Sequence, residues 1–173
     1  MIEIREIRPD EHAATGDVTV DGYRSFYREE LGDYAERLRD VDSRARDAVV
    51  LVAVDDGEVL GTVTYVPDTG SAFAQKQQEG EASIRMLAVS PQHQNRGIGR
   101  MLSVACIARA RADGKRAVVL HADEAMNVSR RLYERLGFRR DPSRDWRPDE
   151  QTLLVCYVLD LSATVTEPRT SRS

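Results

Sequence analysis

A chain of 173 residues, 41% hydrophobic and 31% charged, has the length of one domain and the make-up of a globular protein. Its net charge of −4 argues against an obligate nucleic-acid binder, and no apolar run approaches the roughly 18 residues that cross a bilayer, so no membrane partner is expected. The N-terminus carries acid within its first residues and lacks a signal peptide's apolar stretch, which predicts a cytoplasmic location.

Ile2, Ile4 and Ile7 alternate with charge and predict a first strand ending near Arg8-Pro9. Over residues 10–45 apolar side chains recur at helical intervals: Tyr23, Phe26, Tyr27 and Leu31, then Tyr34, Leu38 and Val41. Two amphipathic helices broken near Gly32-Asp33 are expected. Val49–Val54 is a β-branched run, and Asp55-Asp56-Gly57 turns it into Val59–Val66 as a hairpin. Residues 67–80 have no period and predict a loop. Ala82–Val89 is a central strand stopped by Ser90-Pro91.

Ile98, Met101, Leu102, Ala105, Cys106 and Arg109 then line one helical stripe, ended by Gly114. Ala117–His121 is a buried strand. Asn127 is expected to cap a short helix on which Val128, Leu132 and Leu136 share a face, with Gly137 as its stop. The apolar run 153–159 is the last strand, and it would serve equally as a core strand or as the seam of a homodimer. A single domain over 1–161 and a disordered polar tail over 162–173 follow. The order is a strand, two helices, three strands, a helix, a strand, a helix and two strands. That describes one α/β or α+β layer domain, a mixed sheet with helices on both faces.

The two cysteines, Cys106 and Cys156, fall in a helical and a strand pattern and read as small buried hydrophobes. No His/Cys/Asp cluster has metal spacing, so no metal is expected. Arg130, Arg131, Arg135, Arg139 and Arg140 read as a solvated helix face.

The chemistry concentrates between Met86 and Arg100, where a buried strand ends, a polar loop follows and two glycines open a helix. The first turn of a helix leaves about four N–H groups unpaired and carries partial positive charge. Gly97 and Gly99 remove the Cβ atoms that would hold an anion away, and Gln94, Arg96 and Arg100 add donors, an arrangement suited to a pyrophosphate. A Walker loop would need Gly-Lys-Ser/Thr, which is absent. A dinucleotide fingerprint would need a third glycine where Leu102 stands.

Gln94-x-x-Gly97-x-Gly99, after Met86-Leu87-Ala88-Val89-Ser90-Pro91, resembles motif A of the GNAT acetyltransferase superfamily. Asn127-x-x-Arg130-x-Leu132-Tyr133-x-x-x-Gly137-Phe138 is similar to that superfamily's Asn…Tyr…Gly-Phe helix. The resemblance implies the GNAT acyl-CoA N-acyltransferase fold, with a central mixed, mostly antiparallel, twisted sheet. It implies acetyl-CoA as cosubstrate, with the pantetheine arm along Leu87, Ala88 and Val89 in a gap between neighbouring strands. The pyrophosphate would lie in the loop of Gln94, Asn95, Arg96, Gly97, Ile98, Gly99 and Arg100, and Asn127 would contact the donor. Tyr133 would protonate the leaving thiolate after direct attack by a primary amine in a ternary complex. A non-catalytic acyl-CoA sensor would keep the loop without needing Tyr133, so that tyrosine favours the enzyme.

Thioester aminolysis needs a neutral amine, an oxyanion donor and a proton for the thiolate. A tyrosine, with an ordinary pKa of about 10, can supply that proton. The base is left open. Ser83 stands where the family often has glutamate. Glu81 shares its side-chain parity and is a candidate, directly or through water; His121, Asp123, Glu124 and a bare water chain are others. The acceptor, a small-molecule or protein amine, would be bound by residues 10–45, 67–80 and 140–152, with Tyr65, Phe73 and Trp146 lining a pocket or packing.

Overall fold

In the computed structural model, residues 1–27 and 31–162 are described. The expected polar tail therefore lies, apart from Ser162, outside the described residues. Seven strands run β1 (Glu3–Glu6), β2 (Val49–Asp55), β3 (Glu58–Val66), β4 (Glu81–Val89), β5 (Ala117–Asp123), β6 (Arg139–Arg140) and β7 (Leu154–Asp160). The helices are α1 (His12–Phe26), α2 (Tyr34–Arg39), α3 (Val41–Asp47), α4 (Ile98–Ala112) and α5 (Asn127–Arg135). The strands form one sheet in the order β1-β2-β3-β4-β5-β7-β6, antiparallel throughout except for the β4–β5 pair. No helix among the described residues is long and apolar enough to cross a membrane.

Both faces of the sheet are buried, which is why the strands read as continuous apolar runs. Leu51, Ala53, Leu60 and Ile84 meet Ile98, Leu102, Cys106 and Ala110 of α4 in the main core. On the other face Met86 packs with Val20 of α1 and Leu38 of α2. The helices sit very close to the strands. A Cβ on Gly61 would come within 2.9 Å of Ile98 Cγ2, and one on Gly22 within 2.9 Å of Ala88 Cβ. Two glycines thus set the depth at which α4 and α1 seat on the sheet.

Residues 34–47 form two helices where one was expected. Asp40 breaks them apart: its ψ of 69° is not helical, and its carboxylate accepts from the Ser43 amide to cap α3. The 153–159 run is a core strand, with Val155, Cys156 and Tyr157 buried and β7 flanked by β5 and β6.

Candidate active site

The site begins where two parallel strands part. β4 and β5 pair only at Glu81–Ala117, Ala82–Val118 and Ser83–Val119. Beyond Ser83, β4 continues beside β3, and beyond Val119, β5 continues beside β7. A gap therefore opens between their facing edges, where backbone N–H and C=O groups have no strand partner. It starts at residue 84 on β4 and at residue 120 on β5.

A bulge in β4 re-aims the side chains along this edge. The β3–β4 register slips between Thr62 and Thr64, opposite Met86, whose φ is 53°. Before the slip, Ala82 and Ile84 face the α4 core; after it, Leu87 and Val89 do. Arg85 and Met86 consequently share the α1 face. A left-handed methionine costs about 1–3 kcal/mol. It is held by the Val20–Leu38 cluster and by Arg44, whose Nη1 lies 3.3 Å from the Met86 sulfur.

At the wide end of the gap stands the anticipated glycine loop. Asn95 and Gly97 are both left-handed, with φ of 64° and 75°, and Gly97 is the N-cap of α4. The first bond of the helix runs from the Met101 amide to the Gly97 carbonyl, 3.0 Å away. The Ile98, Gly99 and Arg100 amides precede it and have no intrahelical acceptor. A Cβ on Gly97 would meet nothing within 4 Å, and one on Gly99 would face Leu132, Leu87 and Val89 at 3.5, 3.9 and 4.0 Å. The cradle is thus open over the β4 edge, and the buried Ile98 fixes it to the sheet.

The side-chain donors are distributed differently from the expectation. Arg96 bonds His93 Nδ1 at 3.0 Å and lies 3.9 Å from Asp55, while Gln94 reaches Ser25 of α1 at 3.3 Å. Arg100 is exposed and has no ion pair among the described residues, which leaves it free to meet an anion.

On α5 the N-cap is Met126, not Asn127, which is the first helical residue and makes no capping bond. Val128, expected on the buried face, is 68% exposed. Tyr133 occupies the buried face instead, its ring 5.7 Å from Phe138 and 6.4 Å from Tyr157. Its hydroxyl finds no hydrogen-bond partner among the described residues, yet it lines the cleft and is not sealed from solvent. Burial, then the nearby Cys106, push its pKa well above the ordinary tyrosine value, so the proton stays on.

The cleft runs through the sheet from Tyr133, Leu87 and Ser129 to an aromatic end made by α1 and α2. There Tyr23 stacks on Tyr27 with centroids 6.3 Å apart and meets Tyr34 edge-on at 6.0 Å. The Tyr27 hydroxyl donates to the Asp123 carboxylate at 2.7 Å. Arg85 and His121 complete this end. Among the described residues no three His, Cys, Asp or Glu side chains gather as a metal site.

The family model described as "Acetyltransferase (GNAT) family" matches residues 16–138, a span holding the splayed strands, the glycine loop and Tyr133. The chain belongs to the GNAT family. Mycothiol acetyltransferase of Cellulomonas flavigena is 33% identical over 114 residues, 60% of this chain and 32% of that protein. That of Streptosporangium roseum is 40% identical over 57 residues, 33% of this chain and 17% of that protein. The chain therefore spans about a third or less of the curated relatives it matches. A GNAT acetyltransferase from Brucella melitensis, solved in complex with acetyl-CoA, superposes with a TM-score of 0.65 and 25% identity, covering 94% of this chain and 90% of that one. A GNAT-family structure from Desulfovibrio desulfuricans gives a TM-score of 0.75 at 20% identity, covering 92% and 99%, which bears on the fold alone.

The remaining candidates in this GNAT chain separate cleanly. Glu81 is 1% exposed and does not line the cleft; it sits at the closed end of the β4–β5 pair. Arg144 grips its two oxygens at 2.9 and 2.7 Å, and the Gln78 amide adds a third bond at 2.7 Å. Burial alone would raise its pKa, but these bonds and the charges of Arg144 and Arg116 outweigh it and hold the carboxyl below its ordinary value. Its oxygens are thus engaged by Arg144 and Gln78 at the closed end of the pair, away from the cleft where Glu81 was expected as a direct or water-relayed base. Tyr65 is buried with its hydroxyl on Asp113, and Trp146 lies under the Lys76 ammonium at 5.0 Å; like Phe73, these two do not line the cleft. Their place is taken by Tyr23, Tyr27 and Tyr34, whose spacing along residues 10–45 signalled only helices.

Proposed function

We propose that this chain is an N-acetyltransferase that carries the acetyl group of acetyl-CoA to a primary amine in a ternary complex. The observation that carries the reading is the coincidence of three features at one opening. Two parallel strands part after a short pairing, a cradle of unpaired amides with no Cβ over it stands at their wide end, and a protonated tyrosine reaches the gap between them. The acetyl-CoA bound to the Brucella melitensis neighbour, and the acetyltransferase names of the curated relatives, support the same donor.

The Ile98, Gly99 and Arg100 amides, with the Arg100 guanidinium, hold the diphosphate at the positive end of α4. The loop from Gln94 to Gly97 walls it, and Asn127, in the first turn of α5, contacts the donor near the pantetheine. The edge of β4 at Leu87, Ala88 and Val89 bonds the pantetheine amides as a neighbouring strand would. The Leu87 amide, next to the bulge at Met86, stabilises the charge that grows on the thioester oxygen. Acetyl-CoA supplies the activated acyl group; Tyr133 gives its proton to the departing sulfur. The acceptor amine enters from the opposite, aromatic end, between α1 and β5.

The test is release of free coenzyme A thiol by the purified chain across a panel of small amines, amino acids and peptide amines. Release with at least one amine, lost in Tyr133→Phe while coenzyme A still binds, is the expected result. Tight coenzyme A binding with no release from any amine would instead make the chain an acyl-CoA sensor.

A further inference from the structure

The reading above leaves the attacking amine without a proton acceptor, and Glu81 is committed elsewhere. We propose that His121 is that acceptor, its Nδ1 aimed into the cleft because its Nε2 is bound to the Arg144 carbonyl. The inference rests on the acetyltransferase reading and supplies its missing residue.

His121 Nε2 lies 3.1 Å from the Arg144 carbonyl oxygen. A carbonyl only accepts, so Nε2 carries the hydrogen, and in a neutral ring Nδ1 holds the lone pair. Nδ1 has no partner among the described residues, yet it is not one of the sealed, unsatisfied atoms, so solvent or a ligand reaches it. The ring lines the cleft. On β5, Leu120 and Ala122 face the α4 core, which puts His121 and Asp123 on the α1 face, where the acceptor enters. Tyr133 belongs to the core on the other side. Base and acid therefore address the gap from opposite faces of the sheet.

The carbonyl that fixes the ring is itself fixed. Arg144 ends a 3₁₀ turn over Pro142–Arg144, and its guanidinium is clamped by both oxygens of the buried Glu81. Glu81 is thus a positioning residue, acting through Arg144 on the orientation of His121. This gives a chemical use to a bond between residues 63 apart in the chain.

The charges around the ring set its protonation. Arg144 and Asp145 face it from the turn, Arg85 from β4, Asp123 from its own strand and Cys156 from β7, while Tyr23 and Tyr27 share its cleft. Burial, then the charges of Arg144 and Arg85, lower its pKa below the ordinary histidine value, against the opposing bond to Arg144 and the charge of Asp145. At neutral pH the ring is uncharged and able to accept.

The step balances. The amine nitrogen bonds the acetyl carbonyl carbon, its surplus proton passes to His121 Nδ1, the C–S bond breaks, and the thiolate takes the Tyr133 proton. One proton then moves from imidazolium to phenolate through solvent, which restores both side chains.

The test uses His121→Gln, whose amide can still donate to the Arg144 carbonyl, with an amine turned over by the parent enzyme. In a plot of log kcat/KM against pH the parent falls with a slope of one below the pKa of the amine. The slope steepens to two below the pKa of His121, under the ordinary value of about 6.5. The variant is expected to lose on the order of 10²-fold or more in kcat, to bind coenzyme A as before, and to keep a slope of one throughout. Added imidazole should restore turnover to His121→Ala but not to His121→Gln. In Glu81→Gln, kcat falls while both KM values hold. An unchanged break in the His121→Gln profile, or a kcat close to the parent's, overturns this proposal and leaves the acetyltransferase reading intact. A parent enzyme that acetylates no amine overturns both.

Discussion

Adding one methyl group at Gly97 separates backbone strain from ligand clash. Gly97 and Gly114 stand at the two ends of α4, with φ of 75° and 69°, and at neither would a Cβ meet anything within 4 Å. Alanine at either position must adopt a left-handed conformation at a cost of about 1–2 kcal/mol. For a chain of this size that lowers Tm by roughly 2–8 °C. The two variants should melt alike. They should not bind alike, because the Gly97 methyl enters the space proposed for the diphosphate, whereas Gly114 lies about 25 Å away along the helix. Calorimetric titration with coenzyme A should show Gly97→Ala weakened at least about ten-fold, roughly 1.4 kcal/mol, and Gly114→Ala unchanged. Gly97→Asn tests the partition further: asparagine tolerates the left-handed region, so Tm should recover while affinity stays low. Equal coenzyme A affinity in Gly97→Ala, Gly114→Ala and the parent would refute the assignment of the loop.

Three further outcomes are expected. Tyr133→Phe should lower kcat on the order of 10²-fold with coenzyme A affinity and Tm preserved, since its hydroxyl has no protein partner among the described residues to lose. Glu81→Gln should cost about 3 kcal/mol in urea denaturation at neutral pH, the low end for a broken buried pair because Arg144 can turn to solvent. Because the folded pKa of Glu81 lies below its unfolded one, its contribution is present above the unfolded value and is lost as pH falls through the folded value. The acid limb of stability should therefore be shallower in Glu81→Gln than in the parent. Burial pushes the thiols of Cys106 and Cys156 up to about 12 and about 11, so neither should react with iodoacetamide at pH 8 until the chain is denatured.

What could be read from the sequence was what local spacing encodes. The Val49–Val54 and Val59–Val66 hairpin, the stripe from Ile98 to Arg109 and the glycines at 97 and 99 declare themselves through period and punctuation. What escaped was set by partners distant in the chain or by single backbone angles. Nothing near Glu81 announces Arg144, and nothing near Asp123 announces Tyr27. Met86 follows Arg85 and opens the apolar stretch Met86–Val89, which gives no sign of a left-handed residue, yet that residue decides which side chains face the gap. Asn127 has the composition of a cap, but the chain enters α5 one residue earlier. Asp40 could have been found: an aspartate three residues before Ser43 is a capping signal inside what otherwise reads as one helix. Tyr23, Tyr27 and Tyr34 were visible as helix-face residues, but their meeting with β5 depends on how α1 seats through Gly22.

The most direct measurement is a crystal structure of the chain grown with coenzyme A. The account predicts the diphosphate against the Ile98, Gly99 and Arg100 amides, with the thiol end between β4 and β5 within reach of the Tyr133 hydroxyl. Coenzyme A bound elsewhere, or β4 and β5 zipped together past Ser83 with the cradle empty, would contradict it.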